Sequence, residues 1–343
     1  MFLLAYGGIN KAMNFVKIKN KVMSFSQYLG NNCYLPIADM RKVKYRKKII
    51  IYTLAYGDYL DYYFDYSLPA LMHESNYGAL IKEGFQVEFL LYTIDNKNSI
   101  IEKYKNHPFF DLERISIIKF DAQGDSTPRK IASHSLIDVF RRCLDEQAIL
   151  YLGTPDFIIG NRSLFNSVTL SFGKNQCFAS AHARVSLDIL EQLESKSVYG
   201  ISNPDLVRLG MKFLHKNLKY ANERIDKNTT QKGISYQKVS SNIYTVTHNL
   251  PSPYLVFPLE EDHDFFCKCM DYNMWDREWL QMLIKTNRIK VSGSSDLYFG
   301  VELTPVPFVA DEELKENQKY NDVGGNSFHH RVCRTFTSVW RTE

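Results

Sequence analysis

The chain predicts an α/β protein built on a mostly parallel sheet with helices on both faces. Four apolar, strand-length runs, at residues 49–54, 85–93, 115–120 and 148–152, carry that expectation. Segments with helical spacing separate them, and this alternation of strand and helix is the signature of a doubly covered parallel sheet. No repeat, low-complexity tract or linker divides the 343 residues, so one main domain over 49–312 is expected. A basic extension (1–48) precedes it and a tail (313–343) follows.

The first run, Ile49-Ile-Ile-Tyr-Thr-Leu54, is β-branched and suits a buried strand. Gly57 breaks it, and Asp58 is positioned to cap a helix running to Met72 that Pro69 must kink or divide. Phe85–Thr93 alternates and then turns apolar, as a second strand. Residues 98–105 read as a helix and 115–120 as a third strand. Between Lys130 and Glu146 the residues Ile131, Leu136, Val139, Phe140 and Cys143 form one helical stripe. Ala148–Leu152 is the fourth strand, and Ser163–Leu170 a following helix.

The second half is less regular. Residues 185–193, 203–217 and 275–286 read as helices. Residues 221–238 read as a polar excursion, and 243–246, 254–257, 288–291 and 298–303 as short strands.

Composition bounds the class. With 45% hydrophobic and 23% charged residues the chain is an ordinary globular protein. No apolar run reaches the roughly 18 residues that span a bilayer, and the apolar start is too short for a secretory leader. A cytoplasmic protein is expected, with its six scattered cysteines reduced. The 22 Tyr and 22 Phe suit sugar or base contacts, or simply Tyr-rich strands and core. Net charge is +4, but residues 1–48 carry ten Lys/Arg against Asp39 alone, a local +9. Six of those cations fall within residues 41–48, a segment suited either to an anionic membrane surface or to a solvated edge.

Among chemical motifs, GxGxxG after a strand, GxxxxGK[ST], GxSxG and HExxH are all missing. What remains is a set of polar residues on loops. Gly57 allows a tight turn before a helix N-terminus suited to pyrophosphate. Asp156 follows the fourth strand, where open α/β sheets collect ligands, and an acid there suits a metal, a ribose or a sugar hydroxyl. Arg162 suits a phosphate. His182 and Arg184 stand two apart and project the same way if extended. Asp276 and Glu278 sit between Trp275 and Trp279, and burial beside Trp would fit a carboxylate for general base work.

Together these segments resemble a bacterial family of GT-A-like glycosyltransferase proteins associated with capsule and surface-polysaccharide loci. The resemblance rests on Tyr52-Thr-Leu-Ala-Tyr-Gly57 and on Leu68-Pro-Ala-Leu71 followed by Asn76. It continues in Leu152-Gly-Thr-Pro-Asp156 through Ser163, in Trp275-Asp-Arg-Glu278, and in Ser294-Ser-Asp-Leu-Tyr-Phe-Gly-Val-Glu302. It implies that 49–312 is a GT-A-like catalytic domain moving a sugar from a nucleotide-sugar donor to a surface-polysaccharide acceptor. Tyr56, Gly57, Asp58, Asn76, Asp156, Arg162 and Arg184 would bind the donor, and Asp276 or Glu278 would deprotonate the acceptor. GT-A enzymes usually carry D-x-D after the fourth strand to hold Mn²⁺ or Mg²⁺; here Thr154-Pro-Asp156 supplies one acid. Either Asp156 recruits a distant partner for the metal, or cations such as Arg162 and Arg184 replace it. The same pocket would also suit transfer of a phosphorus-containing group from a nucleotide carrier, or a non-catalytic assembly subunit. Docking through residues 41–48 would make the protein peripheral at the inner membrane, with no role for nucleic acid.

Overall fold

A computed structural model describes residues 44–120, 128–194, 200–215, 234–248, 252–268, 279–280, 282–284, 286–304 and 336–343. Its centre is the predicted sheet. Strands β1 (Lys48–Leu54), β2 (Gln86–Thr93), β3 (Ile115–Lys119) and β4 (Ile149–Gly153) come from the four apolar runs. They are joined by β6 (Cys177–Ser180), β10 (Ser252–Val256) and β11 (Ile289–Val291). The order across the sheet is β11-β6-β10-β4-β1-β2-β3. All neighbouring pairs are parallel except those of β10, which runs against both β4 and β6.

The near-continuous apolarity of β1 follows from burial on both faces. Ile49 and Ile51 join a core with Phe89, Leu91, Ile149 and Tyr151. Ile50 and Tyr52 point the other way, to Leu90, Tyr92 and Leu150. Helix α5 (Pro128–Glu146) and helix α9 (Glu260–Lys268) cover the second face through Leu136, Val139, Phe140 and Phe266. The first face takes α1 (Tyr59–Tyr62), α2 (Leu68–Met72), α4 (Lys97–Tyr104), α6 (Ser163–Ser171) and α8 (Asn203–Lys212). The short helices α3 (Ala79–Lys82) and α7 (Ile189–Glu194) complete the set.

Pro69 divides its helix as expected. Between α1 and α2 the backbone widens into a π-helical stretch, Tyr63–Ser67, where Leu68 N–H reaches back to Tyr63 O. Proline supplies no N–H to continue an ordinary ladder, and the wide turn precedes it. The expected cap at Asp58 does not form: its backbone is helical and its side chain caps nothing.

Two smaller sheets flank the large one. Strand β5 (Phe157–Ile159), β12 (Gly300–Thr304) and β7 (Ala183–Ser186) form one, in the order β5-β12-β7. Strand β8 (Ile234–Ser240), β9 (Ile243–His248) and β13 (Phe336–Arg341) form the other, in the order β13-β9-β8. These sheets correct three expectations. Residues 185–186 extend β7 rather than a helix, because Val185 pairs with Leu303. Residues 234–238, read as polar excursion, pair with β9. Residues 336–341, read as tail, pair with β9 and bury Trp340 against Phe299. A single buried aromatic in a polar stretch leaves too little pattern to mark a strand.

Lys48, the last of the basic run, begins β1 at the amino end of the sheet, where it binds Glu88 and Glu146. Residues 41–43 lie outside the described residues. No helix among the described residues is long and apolar enough to cross a membrane.

Candidate functional site

The chain leaves β1, builds β2 and β3 on one side, and returns to build β4 on the other. That reversal is a switch point, and in such sheets ligands bind in the crevice beyond the carboxyl ends of the flanking strands, here β1 and β4. Thr53 pairs with Gly153, so the loops carrying Gly57 and Asp156 leave the sheet side by side. A side chain at Gly153 would meet Thr53 Oγ1 at 2.7 Å and Tyr52 O at 3.0 Å, which explains the glycine at this closure.

On the β1 side, Gly57 adopts φ +56°, a left-handed turn suited to glycine. Its N–H donates to Asp95 Oδ2 at 2.7 Å, so the amide expected to cradle pyrophosphate already holds a carboxylate of the chain. Tyr56 is partly buried beside it, and Asp58 is exposed. Asp95 stands just beyond β2 and was not singled out in the sequence. An acid at the end of the second strand is its only signal.

On the β4 side, Asp156 immediately precedes β5 and its carbonyl accepts from Leu303 N–H at 2.8 Å. The register sets Phe157 opposite Glu302, and Glu302 opposite Arg184. Glu302 Oε2 accepts from His182 Nε2 at 2.7 Å and Arg184 Nε at 3.1 Å. His182 and Arg184 thus do project together, onto one carboxylate. His182 Nδ1 lies 2.8 Å from the Tyr254 hydroxyl. Glu302, like Asp95, is a member of this cluster that sequence reasoning did not select; its signal is one acid between Val301 and Leu303 in β12.

Below these groups the side chains are buried and aromatic. Tyr254 stacks on Phe157 (5.0 Å between centroids) and Tyr298 (4.8 Å), and the Tyr151 and Tyr298 hydroxyls meet at 2.9 Å. Burial pushes the Asp156 carboxyl up to about 6; the Glu302 charge adds to this, and Thr154 and Arg184 oppose it. Burial would also raise Glu302, but His182 and Arg184 hold it down to about 2. Two neighbouring carboxyls therefore ionise far apart.

The remaining candidates lie elsewhere. Asn76 is buried; its amide donates to Ala70 O and Gly160 O and accepts from Leu164 N–H, so it fastens the start of α6. Arg162 is exposed at the far end of β5 with its guanidinium 4.7 Å over Phe165. The three residues of β5 span about 10 Å, which separates Arg162 from Asp156. Asp276 and Glu278 lie outside the described residues.

No family model and no curated protein sequence matches the chain. Among solved structures, it is similar to 4-diphosphocytidyl-2C-methyl-D-erythritol synthase from Anaerococcus prevotii DSM 20548. The two are 13% identical with a TM-score of 0.37, over 82% of this chain and 98% of that one. It is also similar to residues 1–349 of S. aureus TarS, 16% identical with a TM-score of 0.22, over 40% of this chain and 36% of that one. The fold is mixed α/β with a large, mostly parallel central sheet.

Proposed function

We propose that this protein is a glycosyltransferase, moving a sugar from a nucleotide-sugar donor to a glycan hydroxyl. The observation that carries this reading is the Asp156–Glu302 pair, two partly buried, electrostatically coupled carboxyls beyond the carboxyl end of β4. The nucleoside lies over the ends of β1 and β2, where Asp95, Tyr56, Gly57 and Asp58 stand. An acid at that position suits the ribose hydroxyls. The diphosphate and sugar lie over β4, within reach of Asp156 and Arg184. Asp276 or Glu278 takes the acceptor proton, and the resemblance in sequence points to a surface-polysaccharide acceptor.

A divalent cation fits this donor set. His182 and Arg184 both hold Oε2 of Glu302, and the Glu302 charge acts on the Asp156 carboxyl, so the two acids would be the ones to hold it. Mg²⁺ is commonly bound by one or two carboxylates and completed by substrate phosphates. Among the described residues no three His, Cys, Asp or Glu side chains converge, so the donor's phosphates complete the shell. Bound there, the cation would neutralise charge on the departing diphosphate.

Docking through the basic segment has less support. Lys48 is committed to two glutamates, and β1 separates it by about 23 Å from the crevice.

Calorimetric titration with UDP-glucose, GDP-mannose and CDP-glucose, with and without Mn²⁺, tests the reading. Binding of one sugar nucleotide, strengthened by Mn²⁺ and lost in Asp156→Asn, is expected. Binding of none would overturn it. Tight CDP-ligand binding without sugar transfer would favour transfer of a phosphorus-containing group instead.

A further inference from the structure

His182 links two sheets. It immediately precedes β7 of a small sheet, and its ring reaches Tyr254 in β10 of the large one. A glutamate at neutral pH is ionised and can only accept hydrogen bonds. The 2.7 Å contact between His182 Nε2 and Glu302 Oε2 therefore places a proton on Nε2. In the neutral ring Nδ1 is then an acceptor. It lies 2.8 Å from the Tyr254 hydroxyl and 3.4 Å from that of Ser252, so Tyr254 O–H is its nearer donor. The result is a directed chain from Tyr254 through His182 to Glu302.

Packing fixes this chain along its length. The Tyr254 ring is buried and stacked between Phe157 and Tyr298, at 5.0 and 4.8 Å. Phe157 also meets the His182 ring edge-on, with centroids 5.5 Å apart at 90°. Glu302 is paired with Phe157 on one side and Arg184 on the other, and Arg184 Nε donates to the same carboxylate oxygen at 3.1 Å. The far end is open: the Glu302 side chain keeps 22% of its surface exposed and His182 13%. The chain thus runs from a sealed phenol to an accessible acid.

Histidines that donate to a ligating carboxylate, and are themselves held by a further partner, orient such sites from outside. We infer that His182 is a positioning residue of the donor site: with its proton placed by Tyr254, it holds the Glu302 carboxylate in the orientation that serves the donor's cation. This rests on the nucleotide-sugar reading for its use, and on the hydrogen bonds alone for the chain itself.

Two measurements test it. The first uses wild type with ¹⁵N-labelled imidazoles and no ligand, at about pH 8, above the ordinary imidazole range. His182, identified by the signals missing from His182→Gln, should show Nε2 protonated and Nδ1 bare. In Tyr254→Phe, which keeps the stacked ring, the Nδ1 signal should move. A proton on Nδ1 in wild type, as the other tautomer or as imidazolium, would overturn the inference. So would an Nδ1 signal unmoved in Tyr254→Phe.

The second is calorimetric titration in Mn²⁺ with whichever of UDP-glucose, GDP-mannose and CDP-glucose wild type binds. His182→Leu should weaken that sugar nucleotide about tenfold and Tyr254→Phe about threefold. His182→Gln, whose amide can donate from the place of Nε2, should recover most of the loss. Wild-type affinity in His182→Leu or in Tyr254→Phe would overturn the inference. A loss in His182→Gln as large as in His182→Leu would overturn it too, because the ring would then serve packing alone. If wild type binds none of the three, the transferase reading fails, and the proton placement still decides the chain from Tyr254 to Glu302.

Discussion

Asp156 immediately precedes β5 and Glu302 lies opposite Phe157 in the paired strand β12, yet burial leaves one carboxyl near neutral pH while two donors hold the other far into the acid range. The difference lies in partners. Glu302 receives His182 and Arg184, whereas Asp156 faces desolvation and the Glu302 charge. Such divided pairs are typical of working sites.

Asp156 therefore weakens the unliganded protein at neutral pH. Its folded pKa, about 6, lies above the ordinary 3.8, so its favourable contribution is complete below 3.8 and lost as pH rises through 6. Asp156→Asn, which never ionises, should be more stable than wild type at pH 8 by roughly 1–3 kcal/mol. The gain should narrow as pH falls toward 4. Thermal unfolding at several pH values measures it, and a lower Tm than wild type at pH 8 would refute the assignment.

Glu302 runs the other way. Its pKa falls from 4.5 to about 2, so its stabilisation is complete above 4.5 and lost as pH falls toward 2. Glu302→Gln should cost about 2 kcal/mol at pH 7, with a deficit that shrinks below pH 4.5. It should also lower the Asp156 pKa, since one repelling charge is gone, although burial remains the larger cause. Carboxyl NMR titration of Asp156 in this variant reads that shift. An unmoved titration would mean the two carboxyls are uncoupled.

The large sheet was legible because burial on both faces writes long apolar runs, as in Ile49–Leu54 and Phe85–Thr93. The same rule located Asp156 at a strand's carboxyl end. In the smaller sheets β9 and β12 were legible as the short strands expected at 243–246 and 298–303, whereas β5 has only three residues and β7 runs into a stretch read as helix. Glu302 was invisible as a site residue for a related reason: its role comes from register with Phe157 and Arg184, which no local pattern encodes. Asn76 shows the converse. Its amide meets three backbone groups, a structural use that a motif in sequence does not distinguish from ligand binding.

Gly153 closes the sheet at the crevice floor. A methyl there would press on Thr53 Oγ1 and on the Tyr52 carbonyl, and the carbonyl has no freedom to withdraw. Gly153→Ala should destabilise by about 1–3 kcal/mol and weaken nucleotide binding, because the loops of β1 and β4 are pushed apart. Denaturant unfolding and titration with the tightest nucleotide measure the two effects. Wild-type stability in this variant would show that the closure is looser than the register implies.

Asp262 and Arg288 form a buried ion pair far from the crevice, and it supplies the control for all of these measurements. Both side chains are essentially sealed from solvent. Asp262 Oδ1 accepts from Arg288 Nη1 at 3.0 Å and from Trp279 Nε1 at 2.9 Å, and Oδ2 accepts from Arg288 Nη2 and Leu259 N–H. Arg288 also donates to Phe257 O, so the pair binds α9, β11 and Trp279 to the second face of the sheet. Asp262→Ala would strand a guanidinium in that core, and the expected cost is about 3–5 kcal/mol. Replacing both partners, as Asp262→Leu with Arg288→Met, should cost less than the single change because no charge is left unpaired. Nucleotide affinity of the folded fraction should be unchanged in either variant, since neither residue approaches Asp156 or Glu302. A double variant less stable than Asp262→Ala would mean the pair contributes net stability rather than mutual compensation.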